Sequence, residues 1–252
     1  MRDAVVPDQP EIQKLVQDSN LIFSGTVVEM GASSVANLAP RDNFAVVWVD
    51  RPLRSDPALG DLRRRKVTIA LLDREELQPD QKMIFFTLNW IQGKGIAARE
   101  VAHMETQQED AVAAEIARMP ERHLAERLAD SILVVVGDVA ETRPTPFDIR
   151  WRNAPQWATA TLRNVEGLQG QPPEDMVILF PTSPRPMWAR APRLKEGQRG
   201  IFLLHRPPDW PPLPDLGPDL SSAVFTVLDP ADVQPASQRA LVQRLLGQRS
   251  TR

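Results

Sequence analysis

The stretch that decides the fold is DSILVVVGDVAE at residues 130–141. An apolar run, one glycine and then a polar alternation predict a buried β-strand that bulges at Gly137. The chain carries a near copy, DSNLIFSGTVVE, at residues 18–29, in which Asp, Ser, Gly, Val and Glu recur at a single offset of 112 residues. This copy predicts that one structural unit occurs twice in the protein.

The order of the predicted elements repeats in the same way. In each unit a short amphipathic helix precedes five strands, and a second helix follows them. The helices are predicted at 10–16 and 107–119 in the first unit, and at 123–128 and 237–246 in the second. The strands are predicted at 20–30, 44–49, 67–72, 82–88 and 96–104, and then at 132–142, 157–162, 176–180, 194–204 (with its turn) and 223–228.

Five short strands with a glycine-broken first strand are typical of a small Greek-key barrel. We therefore predict a mainly β protein with flanking helices, made of two tandem OB-like five-stranded Greek-key barrels that arose by internal duplication. The domains are residues 1–119 and 120–252. The offset between the copies grows only in the loops, as expected when duplicated domains diverge.

Three segments of the second unit also resemble a known family. They are residues 129–141, a strand that ends in Val-Glu-Gly at 165–167, and GQRGIFLL at 197–204. They resemble bacterial domains of the tissue-inhibitor-of-metalloproteinase (TIMP) and netrin type, and the likeness covers most of each half. The resemblance implies OB-fold barrels. The animal inhibitors chelate a protease zinc through an N-terminal cysteine, which this chain lacks, so that mechanism does not carry over.

The composition excludes several classes of site. The chain has 252 residues and a net charge of −3, so its overall charge does not favour binding to a polyanion. It contains no Cys, which excludes disulfides, zinc–thiolate sites and cysteine nucleophiles, and no Tyr. No apolar run approaches the roughly 18 residues that span a bilayer, and the first residues lack the apolar region of a signal peptide. We expect a cytoplasmic protein without a membrane segment, although prior removal of an export signal stays an alternative.

The sequence gives little support for catalysis. Its three histidines are His103, His123 and His205, and no phosphate-binding glycine loop or metalloprotease motif occurs. His103 alternates with Glu105 on a strand, which could contribute to a metal site, but no cluster of partners follows. We predict no enzyme, no catalytic residue, no metal and no cofactor.

The second unit differs from the first mainly in three enlarged loops, at 142–155, 181–192 and 206–218. Every one of them carries Trp, and two carry Arg close by; Trp and Arg are the residues favoured at interface hot spots. Proline, of which 18 of 24 lie after residue 119, lowers the entropy lost when a loop becomes ordered. An alternative stays open, in which these side chains only pin each loop to its own barrel. The predicted recognition surface consists of Arg150, Trp151, Arg152, Trp188, Arg190 and Trp210.

Two functions follow from this surface. The first is a non-enzymatic, protein-binding or regulatory module whose partner is another protein. The alternative is a single-stranded nucleic-acid-binding OB protein, in which Trp151, Trp157 and Trp188 stack on bases, although the acidic balance counts against it. The basic run at 63–66 has two interpretations: it contacts phosphate, or it is a solvated loop. The solvated loop is favoured because Asp residues flank the run. The prolines at 211–214 form a polyproline ligand or, preferably, a stiff loop.

Overall fold

The computed structural model describes residues 9–73, 77–92, 95–145, 156–174, 176–208 and 223–249. The chain divides into two compact units, residues 1–119 and 120–252. The helices are α1 (Gln9–Asp18), α2 (Glu109–Asp130) and α3 (Arg239–Arg249). The strands are β1 (Leu21–Met30), β2 (Phe44–Arg54), β3 (Lys66–Ala70), β4 (Lys82–Gln92), β5 (Gly95–Glu105), β6 (Leu133–Pro144), β7 (Trp157–Gln169), β8 (Val177–Pro181), β9 (Arg199–Leu204), β10 (Val224–Thr226) and β11 (Val233–Pro235).

The first unit is a closed five-stranded barrel in the order β1-β2-β3-β5-β4, which confirms the predicted β-barrel. All neighbouring strands are antiparallel except β3 and β5, which are parallel. Leu21 and Phe23 of β1 point into the barrel core, whereas Ile22 between them packs against the helices. Strand β1 is therefore buried on both faces, as its continuous apolar run predicts.

A glycine lets the first barrel close. The pairing of β1 with β2 shifts register between Ser24 and Gly25, which confirms the predicted bulge. A Cβ atom on Gly25 would lie 2.6 Å from the carbonyl oxygen of Trp48 and 2.8 Å from Cγ1 of Val47. Because no side chain fits at that distance, the close approach of β1 and β2 requires glycine at this position.

The second unit is a six-stranded sheet in the order β10-β8-β7-β6-β9-β11, instead of the predicted five-stranded barrel. Its extra strand, β11, pairs with β9 over Val233–Pro235. The strand predicted at 223–228 forms only over Val224–Thr226, and a 3-10 turn at Pro230–Asp232, capped by Asp229, separates it from β11, which was not predicted. Only an isolated bridge between His205 and Thr226 joins the end of β9 to β10.

Other boundaries also differ from the prediction. The two helices predicted at 107–119 and 123–128 are one continuous helix, α2, which contains Pro120. Strand β2 continues through Pro52 to Arg54, because β3 pairs only with Phe44–Trp48 and requires no backbone N–H at Pro52. Strand β7 runs on to Gln169, well beyond its predicted end.

Candidate functional site: the β8–β9 loop

The structure places two of the six predicted site residues. Trp188 and Arg190 lie between β8 and β9, in the segment 182–198 that we call the β8–β9 loop. The remaining four, Arg150, Trp151, Arg152 and Trp210, lie outside the described residues. Whether the three enlarged loops form one surface therefore stays a prediction.

The β8–β9 loop is closed on itself by hydrogen bonds. A 3-10 turn covers Pro186–Trp188, and the backbone N–H of Trp188 donates to the carbonyl of Arg185 at 2.9 Å. Atom Nη2 of Arg193 donates to the carbonyl oxygens of Ser183, at 2.7 Å, and of Trp188, at 3.1 Å. A single guanidinium thus ties the start of the loop to its tip, which leaves the loop few alternative conformations.

The tip of this loop exposes an apolar side chain. Met187 is 63% exposed, whereas the neighbouring Trp188 is half-buried. The indole nitrogen of Trp188 is fully buried and has no hydrogen-bond partner in the described part of the chain. Arg190 is exposed three residues beyond Met187. Trp188 therefore anchors the loop, in line with the packing alternative, while Met187 and Arg190 face outward.

A buried ionic cluster lies elsewhere in the second unit, around Asp232. The Asp232 side chain is 0% exposed, and Nε and Nη2 of Arg127 donate to its two carboxylate oxygens at 2.7 and 2.9 Å. Nε2 of His205 lies 3.0 Å from Oδ1, and the backbone N–H groups of Leu228 and Asp229 each donate to Oδ2 at 2.9 Å. Five donors thus surround one carboxylate.

These contacts determine the charge state of the cluster. Burial raises the pKa of Asp232, but the hydrogen bonds from His205 and Arg127 outweigh it and lower the pKa to about 2. The pKa of Arg127 is raised: burial lowers it, and the hydrogen bond to Asp232 more than compensates. Both groups are therefore charged at neutral pH, and each neutralises the other.

Structural contacts engage both ring nitrogens of the histidine in this cluster. The second ring nitrogen of His205, Nδ1, lies 3.3 Å from the carbonyl oxygen of Asp130, so protein acceptors face both nitrogens and neither is left for a substrate. Sequence reasoning missed this cluster. The available signal was the spacing Asp229-Pro230-Ala231-Asp232, which forms a capping box in the structure.

His103, which the sequence placed with Glu105 as a possible contributor to a metal site, contacts a different carboxylate. Its Nδ1 atom lies 2.5 Å from Oε1 of Glu100. Oε2 of the buried Glu100 accepts the backbone N–H of Leu72 at 2.7 Å. Across the described ranges, no group of three or more His, Cys, Asp or Glu side chains is placed to hold a metal ion.

Trp157 bears on the nucleic-acid alternative. Its side chain lies on β7 and is only 4% exposed, so it has no free face on which a base could stack. Of the other two Trp in that interpretation, Trp188 is half-buried and Trp151 lies outside the described residues. The second unit therefore offers less support for base stacking than its sequence predicts.

Comparison with known proteins assigns no family. No protein-family model matches the chain, and a search of curated proteins returned no significant match. The resemblance to TIMP and netrin domains therefore stays a prediction. Within the part of the chain that is described, no helix has the length and apolar character to cross a membrane.

Proposed function

We propose that the protein is a non-enzymatic protein-binding module that contacts its partner through the β8–β9 loop. It is built from two OB-like units, of which the first is a closed barrel and the second an open sheet. The proposed partner contact lies within residues 120–252, whereas the proposed duplication includes the whole chain. Three observations support it: the matching strand order of the two units, the closed and exposed β8–β9 loop, and the complete use of the buried histidine by structural contacts.

The strand order supports the duplication. The sequence β4-β1-β2-β3-β5 of the first unit matches β9-β6-β7-β8-β10 of the second, and the last pair is parallel in both. In the first unit β5 leads into a 3-10 turn at 106–108 and then α2; in the second, β11 leads into a 3-10 turn at 236–238 and then α3. This shared order is our basis for proposing OB-like units, since the OB fold is a five-stranded, partly open Greek-key barrel.

The exposed Met187 on a hydrogen-bonded loop is the observation that carries the protein-binding function. Met and Arg are enriched at protein interfaces, and the exposed Arg190 follows Met187 three residues later in the same loop. A loop that is already ordered loses little conformational entropy when a partner binds. The bond network of Arg193 therefore favours binding by the loop as it stands.

Site-specific photo-crosslinking tests this function. A benzophenone amino acid replaces Met187 in one variant and Leu72 in a control; Leu72 is 70% exposed and belongs to the first unit. Both variants are expressed in the native host and irradiated. The expected result is a protein that crosslinks at position 187 and not at position 72. The same crosslinked proteins from both positions would contradict a specific surface at the β8–β9 loop.

A further inference from the structure

The outer face of the first barrel carries an exposed tryptophan between lysines. In β2, Ala45, Val47 and Val49 point into the core, so Trp48 between them points outward, and it is 37% exposed. A single exposed apolar side chain is common on protein surfaces and does not by itself mark a contact site. The surroundings of Trp48 therefore decide what this position could bind.

The strand register places four residues in one row across the barrel. Thr26 of β1 pairs with Lys82 of β4 on one side and with Trp48 on the other, and Trp48 pairs with Lys66 of β3. Neighbouring strands lie about 4.8 Å apart, so the row spans roughly 14 Å. Lys66 and Lys82 are both exposed. An indole thus lies in a surface row that has an ammonium group at each end.

A basic turn adjoins this row. Residues 63–65 are all arginine, and they precede Lys66 directly. Two backbone bonds fix the turn against β2: Arg64 N–H donates to the carbonyl of Val49 at 3.0 Å, and Val49 N–H donates to the carbonyl of Arg65 at 2.9 Å. Among the described residues, Arg63, Arg64, Lys66 and Lys82 form no ion pair.

The carboxylates that flank the basic turn are directed to other donors. Oδ1 of Asp61 accepts the backbone N–H of Arg63, and Oδ1 of Asp56 accepts that of Ala58, both at 2.9 Å. Asp50, two residues beyond Trp48 on the same face, accepts the hydroxyl of Thr26 at 2.8 Å. The flanking acids therefore accept from turn and strand donors, and the side chains of Arg63, Arg64, Lys66 and Lys82 are exposed. The Arg65 side chain is used within the turn, where Nη1 donates to the carbonyl of Leu59 at 3.3 Å.

The second unit has a different residue at the matching place. Asp138 occupies the position of Thr26 in the second copy of the repeated sequence, and it pairs with Arg163 where Thr26 pairs with Trp48. Arg163 is an ordinary exposed charge. The tryptophan is thus particular to the first unit and is not required by this position of the sheet.

We propose that this surface, formed by Trp48, Lys66, Lys82 and the arginine turn 63–65, binds single-stranded nucleic acid. Trp48 stacks on a base, and the cations contact the flanking phosphates. Nucleic acid fits because it combines planar rings with a regular row of negative charges, which is the complement of an indole between cations. All residues of this site belong to the first unit.

Fluorescence anisotropy with end-labelled single-stranded oligonucleotides of mixed sequence tests the proposal, at 50 mM and 200 mM salt. Trp48→Ala should weaken binding at least about fivefold, the lower end of what one base–aromatic stack contributes, and Trp48→Phe should recover part of it. Lys66→Gln should make the slope of log affinity against log salt about 0.7 less steep, because one phosphate contact is lost. Arg163→Gln removes the same charge from the second unit and should change neither quantity.

Competition with a heparin fragment and with duplex DNA distinguishes base stacking from non-specific binding of a polyanion. Stacking predicts that single strands displace the label at lower concentration than either competitor. Three results would overturn the proposal: no binding at 50 µM protein in 50 mM salt, equal competition by heparin, or an affinity that Trp48→Ala leaves unchanged. Circular dichroism of each variant confirms that the fold is retained, as expected for substitutions of exposed side chains.

Discussion

Replacing Asp232 by Asn should destabilise the second unit by about 3–5 kcal/mol, the usual cost of removing one partner of a buried ion pair. The structure accounts for a cost of this size. Arg127 would lose its counter-charge, and an amide NH2 group would face either the Arg127 guanidinium or the N–H groups of Leu228 and Asp229. For a unit of this size, the loss corresponds to a fall in Tm of roughly 11–18 °C.

Urea unfolding at pH 7, followed by far-UV circular dichroism, measures the effect. The matched control is Asp229→Asn in the same turn: Asn caps as well as Asp, and the ion pair of Asp229 with the half-exposed His123 contributes about 0–1 kcal/mol. Removing both charges, by Arg127→Met with Asp232→Leu, should recover part of the loss. Equal unfolding free energies for Asp232→Asn and Asp229→Asn would refute the reasoning.

Three further predictions concern pH, the first barrel and the loop. The pKa of Asp232 lies below its ordinary value of 3.8, so its stabilisation is complete above about pH 4 and is lost as the pH falls toward 2; urea unfolding at pH 5 and 2.5 should show a loss of about 2 kcal/mol that Asp232→Asn lacks. Gly25→Ala should destabilise the first barrel by about 1–3 kcal/mol because of its backbone clash, whereas Gly247→Ala, with nothing within 4 Å, should be neutral or stabilising in thermal melts. Arg193→Met should increase amide hydrogen exchange of the β8–β9 loop about fivefold, the effect of losing about 1 kcal/mol of hydrogen bonding; unchanged exchange would show that the guanidinium does not hold the loop.

The β-rich fold could be predicted because its signals are local and repeated. The apolar run with a single glycine at 21–30 specifies a strand that is buried on both faces and bulges at Gly25, and the copy at 133–144 does the same. The alternation around Val47 and Val49 also predicts that Trp48 points outward, but it does not indicate that Trp48 binds a ligand. Local periodicity is sufficient for such features, because burial of one face sets the register.

The break in the last strand of the second unit could not be predicted in the same way. The run at 223–228 predicts a strand to Leu228, but β10 ends at Thr226, and the turn capped by Asp229 follows two residues later. The pair of Arg127 with Asp232 joins residues 105 positions apart, which no periodicity reveals. Strand β11 has three residues, including a proline, and forms because β9 offers an unpaired edge. Tertiary contacts decide all three features.

In the candidate site, too, the sequence predicts some features and tertiary contacts decide the others. The enlarged loop, its tryptophan and its arginine could be recognised from composition and from comparison of the two copies. The roles of the side chains could not: Trp188 is half-buried and anchors the loop, whereas Met187 is the exposed residue. Which side of a loop faces solvent depends on the hydrogen bonds of Arg193, and these are set by the folded backbone.

The most direct test of the protein-binding account is the affinity of the crosslinked partner, once purified, for three forms of the protein. Isothermal titration calorimetry gives the Kd for the wild type, for Met187→Glu and for Leu72→Glu, each of which places a charge at an exposed apolar position. The account predicts a Kd at least about tenfold higher for Met187→Glu, a loss of about 1.4 kcal/mol, and an unchanged Kd for Leu72→Glu. The same Kd for all three forms would contradict it.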